Sequence, residues 1–275
     1  MKILDFNTEN WSDAKGDVQQ ILQVMGSIKA YHSPKDKQWY HHSLVCTSQM
    51  ISTDVFPVLI GKRMDAVEIE FDPIDCVIFL STQNESEEIP IDGQSQKELF
   101  EQIRSIYSEF GVQLNTQIGK DFSSLEIEIN QEMLAKYWRM LQFTDLLLKQ
   151  FKSELIDEES SNVNLWPHHF DLAMLWFSGK LIKGADSDNK EMYQMNFGLS
   201  AGDKLIEEPY YYVTSNPFND DILKQSLNKN ASWNTKDWKG SILKYSDIVG
   251  VSDQKTAILD FWKTNLDLYK SIQNL

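Results

Sequence analysis

The chain has 275 residues, a hydrophobic fraction of 41% and a charged fraction of 24%, an ordinary globular balance that argues against disorder. Its 41 acidic and 26 basic residues leave a net charge of -15, which repels phosphate backbones and anionic lipid and sets nucleic-acid and membrane roles aside. Two cysteines, Cys46 and Cys76, both in apolar runs, supply neither a disulfide framework nor a zinc-knuckle spacing.

The opening Met1–Asn7 has no basic region followed by a long apolar stretch, so no signal peptide is expected. No charge-free apolar run approaches the roughly 20 residues that span a bilayer. With two thiols and no leader, the expected location is cytoplasmic.

In chain order, Val18, Ile21, Leu22, Met25 and Ile28 recur at helical spacing and predict a helix from Ser12, broken at Ser33-Pro34-Lys35-Asp36. Trp39 to Ser48 and Ile51 to Ile60 read as strands. Val67, Ile69 and Phe71 alternate with Glu68, Glu70 and Asp72, the period of a strand with one wet face. Asp72-Pro73-Ile74-Asp75 makes a turn to a partner strand at Cys76–Leu80, in an antiparallel meander. The polar stretch 84–93 reads as a loop. Ser95 and Glu98 form a capping box ahead of a helix whose stripe is Leu99, Ile103, Ile106, Tyr107 and Phe110, stopped at Gly111. Strands are expected at Val112–Ile118 and Ser124–Ile129.

A longer helix runs from Asn130 to about Leu155, followed by a charged linker over 157–162. Aromatic-rich strands follow at Leu172–Phe177, Met192–Phe197 and Tyr210–Thr214. A last helix begins near Ser252, with Ile258, Phe261, Trp262, Leu266 and Tyr269 as its stripe. Helices and strands mix without βαβ alternation, so the fold class is α+β, with antiparallel sheets and flanking helices.

Trp39-Tyr40-His41-His42 recurs in form as Trp166-Pro167-His168-His169, each copy after an amphipathic helix and a polar break. This suggests two similar halves related by duplication, 1–129 and 130–275, packed as one unit; chance similarity over four positions is the competing explanation. In an extended strand His41 shares a face with Trp39 and Ser43, and His169 with Asp171, whose carboxylate would fix an imidazole tautomer. If the halves meet about a two-fold axis, the histidine pairs meet. The plain alternative is that they fill partly buried, hydrogen-bonded positions beside tryptophan.

Gly198-Leu199-Ser200-Ala201-Gly202 matches the nucleophile elbow, but no helix fits directly after it and no histidine follows Ser200. It reads as a glycine turn between strands. A divalent metal is the stronger chemical idea, with His41, His169 and Asp171 as candidate ligands for zinc, iron or manganese and His42, His168, Asp203, Glu207 and Glu208 in reserve. None of the helical two-histidine spacings occurs, and no phosphate-binding glycine loop is present.

Taken together, the chain resembles a bacterial family, domain of unknown function 5996, over nearly its whole length. The resemblance is carried by Trp11, by Trp39-x-His41 running to Thr47, and by Glu68-Ile69-Glu70-Phe71-Asp72. It continues in Phe170-Asp171-Leu172-Ala173 with Ser178-Gly179, Gly202-Asp203 and Glu208-Pro209-Tyr210-Tyr211-Tyr212. Where some relatives have Ser-Pro-Gly-Asp this chain has Ser200-Ala201-Gly202-Asp203, which puts any special turn geometry there in question. The resemblance implies no activity; it singles out His41, Asp171 and Glu208.

The leading expectation is a small-ligand-binding protein or a hydrolytic or metal-assisted enzyme. His41 and His169 would be its acid–base or ligand groups, Asp171 would orient His169, and Trp39 and Trp166 would form walls, with Asp203, Glu208 and Tyr210 as further ligand contacts. The competing expectation is a non-catalytic interaction or scaffold protein with structural histidines, an exposed apolar patch, and a stable partner or homo-oligomer.

Overall fold

The computed structural model describes Ile3 and residues 11–91, 93–182 and 191–275; Met1–Asn7, read above for a leader, lies outside the described residues apart from Ile3. Its elements begin with α1 (Trp11–His32), a 3₁₀ turn at Tyr40–His42, and β1 (Val45–Cys46). Next come β2 (Ile51–Ser52), β3 (Phe56–Ile60), β4 (Arg63–Asp72), β5 (Val77–Thr82) and β6 (Ser86–Pro90). After them lie α2 (Gln96–Glu109), a 3₁₀ turn at Thr116–Gly119, and α3 (Gln131–Glu154). The chain continues through β7 (Glu159–Ser160), β8 (Asn164–Trp166), β9 (Asp171–Leu181), β10 (Met192–Ser200) and β11 (Tyr210–Asn216). A 3₁₀ turn at Asp220–Lys224, β12 (Ser232–Asn234), β13 (Gly240–Lys244), α4 (Tyr245–Ile248) and α5 (Gln254–Gln273) complete it. The class is α+β with two antiparallel sheets. No helix among the described residues is long and apolar enough to cross a membrane.

Two compact units divide the chain. One comprises Phe6–Trp138 with Asn164–Phe170; the other comprises Met1–Asp5, Arg139–Val163 and Asp171–Leu275. In the first, strand order is β1-β2-β4-β5-β6, with β3 also on β4. Val67, Ile69 and Phe71 of β4 are buried and their acidic neighbours half-exposed, as the period-two pattern requires. The α1 stripe Val18, Ile21, Leu22, Met25 and Ile28 is likewise buried. At α2 the box closes both ways: the Glu98 amide donates to Ser95 Oγ (3.3 Å) and the Ser95 amide to Glu98 Oε2 (2.9 Å). Beyond the box, α2 buries Leu99, Phe100, Ile103 and Tyr107, each worth roughly 1.5–3 kcal/mol of burial.

In the second unit the order is β12-β13-β11-β10-β9-β7. Phe151 of α3, Phe197 of β10, Tyr211 of β11 and Trp262 of α5 form its aromatic core, with ring centroids 5.0–6.0 Å apart. α5 starts at its N-cap Asp253, which accepts from the Thr256 amide.

Several sequence expectations give way to local turn chemistry. Residues 39–44 are not a strand: Asp36 Oδ1 accepts from the Gln38 amide, Trp39 turns left-handed at φ 64°, and Tyr40–His42 form a 3₁₀ turn. The strand proper is only Val45–Cys46. The run 51–60 is broken at Asp54, φ 56°. Val112–Ile118 and Ser124–Ile129 form no ladder; Asn115 caps the Thr116–Gly119 turn, and the second stretch retains one bridge, Ser95 to Glu126. Conversely, the polar stretch after Asn84 holds β6, an exposed edge strand on β5.

Gly198, Leu199 and Ser200 are the last residues of β10, and Ala201 and Gly202 open the connection to the antiparallel β11. β10 ends at Ser200, whose Oγ accepts from the Gly202 amide, and the chain returns in β11. Gly202 has φ 105°, and a Cβ there would stand 2.8 Å from the Glu207 carbonyl. The turn therefore needs this glycine even with Ala201 before it.

Candidate functional site

Both tryptophan-led histidine segments lie in the first unit, and α1 is the frame that gathers them. Leu44 and Leu165 exchange backbone hydrogen bonds of 2.8 and 2.9 Å in an antiparallel bridge, joining the segments at their bases. Ser43 Oγ donates to Asn164 Oδ1 (3.1 Å) beside it. From α1, Lys29 Nζ donates to the Ser43 carbonyl (2.7 Å), and Gln19 Nε2 donates to the carbonyls of Pro167 (3.0 Å) and His168 (2.8 Å). Gly26 allows the close approach: a Cβ there would sit 2.8 Å from Pro167 Cγ and 3.4 Å from the His42 carbonyl.

This scaffold sets three imidazoles in succession. Ring centroids are 4.3 Å apart for His41 and His42, and 5.7 Å for His42 and His168. Trp39 covers the first two, at 5.8 Å from His41 and 5.6 Å from His42, yet is itself 63% exposed. A bulky side chain at positive φ is an outlier that the surrounding contacts must hold in place. His41 is buried, and its Nδ1 accepts from the Asp36 amide (3.2 Å), so the neutral ring carries its proton on Nε2. Burial, followed by the charges of His41 and His168, pushes the His42 imidazole below its ordinary range. The His42 ring is therefore biased toward its neutral form.

Two open cavities flank these rings and share Trp39, His42 and His168. The larger, about 600 Å³, is completed by His41, Tyr31, Ile118, Ala30 and the polar turn Lys35-Asp36-Lys37. The smaller, about 380 Å³, adds Trp166, His169 and Gln38. Thus Trp39, His41, Trp166 and His169, named from sequence alone, line this pair of cavities. Trp39 and His41 do not share a strand face, because residues 40–42 are a 3₁₀ turn and not a strand. Gln19, Gly26, Tyr31 and Lys37 belong to no motif in the sequence, and Lys35 enters there only as part of the helix break. A glycine inside an otherwise apolar-patterned helix was the one available signal.

The remaining candidates belong to the second unit and have partners there. Asp171 opens β9 and accepts a hydrogen bond from the Tyr212 hydroxyl. Asp203 accepts from Tyr210 (2.6 Å) and from the amides of Leu205 (2.7 Å) and Ile206 (2.9 Å). Burial works against its charge, but these hydrogen bonds hold its carboxyl below the ordinary range. Glu208 accepts from the amide (2.8 Å) and hydroxyl (3.0 Å) of Ser246 at the start of α4. Burial raises the Tyr210 phenol, with Asp203 adding to it, and raises that of Tyr212, with Asp171 adding to it. These carboxylates act in turns, caps and phenol pairs. Among the described residues no group of three or more His, Cys, Asp or Glu side chains is placed to hold a metal ion.

No curated protein and no solved structure matches the chain. A family model described as a family of unknown function, DUF5996, matches residues 4–271, and the chain belongs to that family.

Proposed function

We propose that the first unit binds a small molecule at the two tryptophan-led histidine segments. One observation carries the reading: exposed Trp39, held at φ 64°, roofs a run of imidazoles that opens on cavities of about 600 and 380 Å³. Apolar walls with a few convergent polar groups are the usual form of a ligand site. A backbone outlier at such a place supports a role beyond packing. Trp39 and Trp166 supply walls, His41 a ring of fixed tautomer, and His42 a ring biased toward its neutral form. Asp171, Asp203, Glu208 and Tyr210 are left out of the site, and a metal-assisted version finds no ligand set to support it.

Five histidines make the test clean. With the imidazole Cε1 positions labelled, titration with small aromatic compounds should shift His41, His42 and His168 together and leave His32 still. Trp39→Ala should weaken that response by about tenfold, the loss of one aromatic contact. A set of histidine signals indifferent to every compound, or an affinity untouched by Trp39→Ala, refutes the reading.

A second reading, an interaction protein, is favoured by one observation. Val55, Leu59 and Met64 are exposed large apolar residues around the β3–β4 hairpin. It expects a homo-oligomer or stable partner in light scattering, and a shift toward monomer in Leu59→Lys with Met64→Lys.

A further inference from the structure

We propose that the cavity at Trp39, His42 and His168 takes a flat aromatic carboxylate and takes up one proton from solvent as it binds. This rests on the small-ligand reading above and names the ligand class of that site.

Charge is the first ground. The chain carries -15 overall, yet the larger cavity is lined by Lys35, Lys37 and three imidazoles against a single acid, Asp36. Asp36 is partly engaged, since its Oδ1 accepts from the Gln38 amide at 2.7 Å. An anion is drawn to this spot against the field of the rest of the chain.

Shape and unspent hydrogen-bonding capacity are the second ground. The apolar part of the wall is Trp39, Tyr31, Ala30 and Ile118. The exposed Trp39 ring is a platform on which a planar ring can stack. His41 Nδ1 is occupied by the Asp36 amide, whereas no hydrogen bond to a described residue engages the ring nitrogens of His42 or His168. Those two rings, with centroids 5.7 Å apart, stand ready for the two oxygens of one carboxylate.

Proton uptake follows from the surroundings of His42. Facing it are Tyr31 of α1, then Lys35, Asp36 and Lys37 of the turn after α1. His41 comes from its own 3₁₀ turn, and His168 and His169 from the segment after β8. Burial first, and then the neighbouring His41 and His168, push the His42 imidazole below its ordinary range and so favour its neutral form. A bound carboxylate reverses that balance and favours imidazolium. The added proton sits on His42 and donates to the carboxylate, a charge-assisted hydrogen bond. Binding and protonation are then linked, and affinity must rise as pH falls from 8 toward 6.

The test uses the full chain with benzoate and its neutral isostere benzamide, read by histidine signals and by calorimetry in two buffers of different ionisation enthalpy. Benzoate should bind about tenfold more tightly at pH 6 than at pH 8, with a buffer-dependent heat and an upward move of the His42 midpoint. Benzamide should show none of these dependences. In Lys35→Gln with Lys37→Gln, which alters only solvated side chains, benzoate affinity should drop severalfold while benzamide is unaffected. Equal, pH-independent binding of both compounds at these histidines overturns the carboxylate inference and leaves the pocket standing. Silence of these histidines toward both compounds overturns the inference together with the pocket.

Discussion

Replacing Trp39 by glycine and separately by alanine isolates the backbone strain at the centre of the site. Both variants lose the indole and its contacts with His41 and His42 at 5.8 and 5.6 Å. Because the side chain is 63% exposed, little burial is forfeited in either. The variants differ in the Cβ. Alanine keeps it at φ 64°, a conformation that burdens a residue bearing a Cβ by roughly 1–2 kcal/mol. Glycine sheds that strain but gains unfolded-state freedom worth roughly 0.5–1 kcal/mol. Glycine should therefore be the more stable variant by about 0.5–1 kcal/mol, a midpoint difference of about 1–3 °C. Urea unfolding followed at the histidine signals, all from the first unit, should give equal slopes and a higher midpoint for glycine. An alanine variant as stable as glycine would refute the argument that the left-handed Trp39 is strained and held by its neighbours. Neither variant should retain the aromatic platform, so both should respond weakly to aromatic compounds.

Gly26→Ala should destabilise by about 1–2 kcal/mol in urea melts despite alanine's helix propensity, because its Cβ meets Pro167 Cγ at 2.8 Å. His42 has a depressed folded pKa, so its contribution to stability is full above the ordinary imidazole pKa and is lost as pH falls through the folded value. His42→Gln should therefore flatten the stability profile on the acid side of neutrality. Asp203 is also depressed, so its contribution is present above the ordinary carboxyl range and lost as pH falls through its folded value. Asp203→Asn should shift acid unfolding and leave the profile near pH 7 parallel to wild type. Tyr212→Phe removes the hydroxyl that Asp171 accepts from and should cost about 1.5–3 kcal/mol, the range for a hydrogen bond to a charged group.

The sequence by itself determined the parts whose cause is local. The α1 stripe, the Ser95–Glu98 box, the β4 alternation and the glycine turn at Gly202 each follow from side-chain period or turn chemistry, and each stands in the fold. The family was legible too, through motifs spread along the chain. Sequence also singled out Trp39-Tyr40-His41-His42 and Trp166-Pro167-His168-His169, but through a strand geometry that the chain does not adopt. Asp36 and a left-handed Trp39 turn the first segment into 3₁₀ instead, a choice that residue spacing does not encode. Only tertiary structure decided what faces what. Gln19, Gly26 and Lys29 draw both segments onto one helix across more than a hundred residues of sequence. Asp171, two residues after His169, passes into the other unit and toward Tyr212. Local propensity acts over a few residues, whereas a site is assembled from long-range contacts. Those contacts depend on which backbones can approach closely and which carbonyls still need a donor.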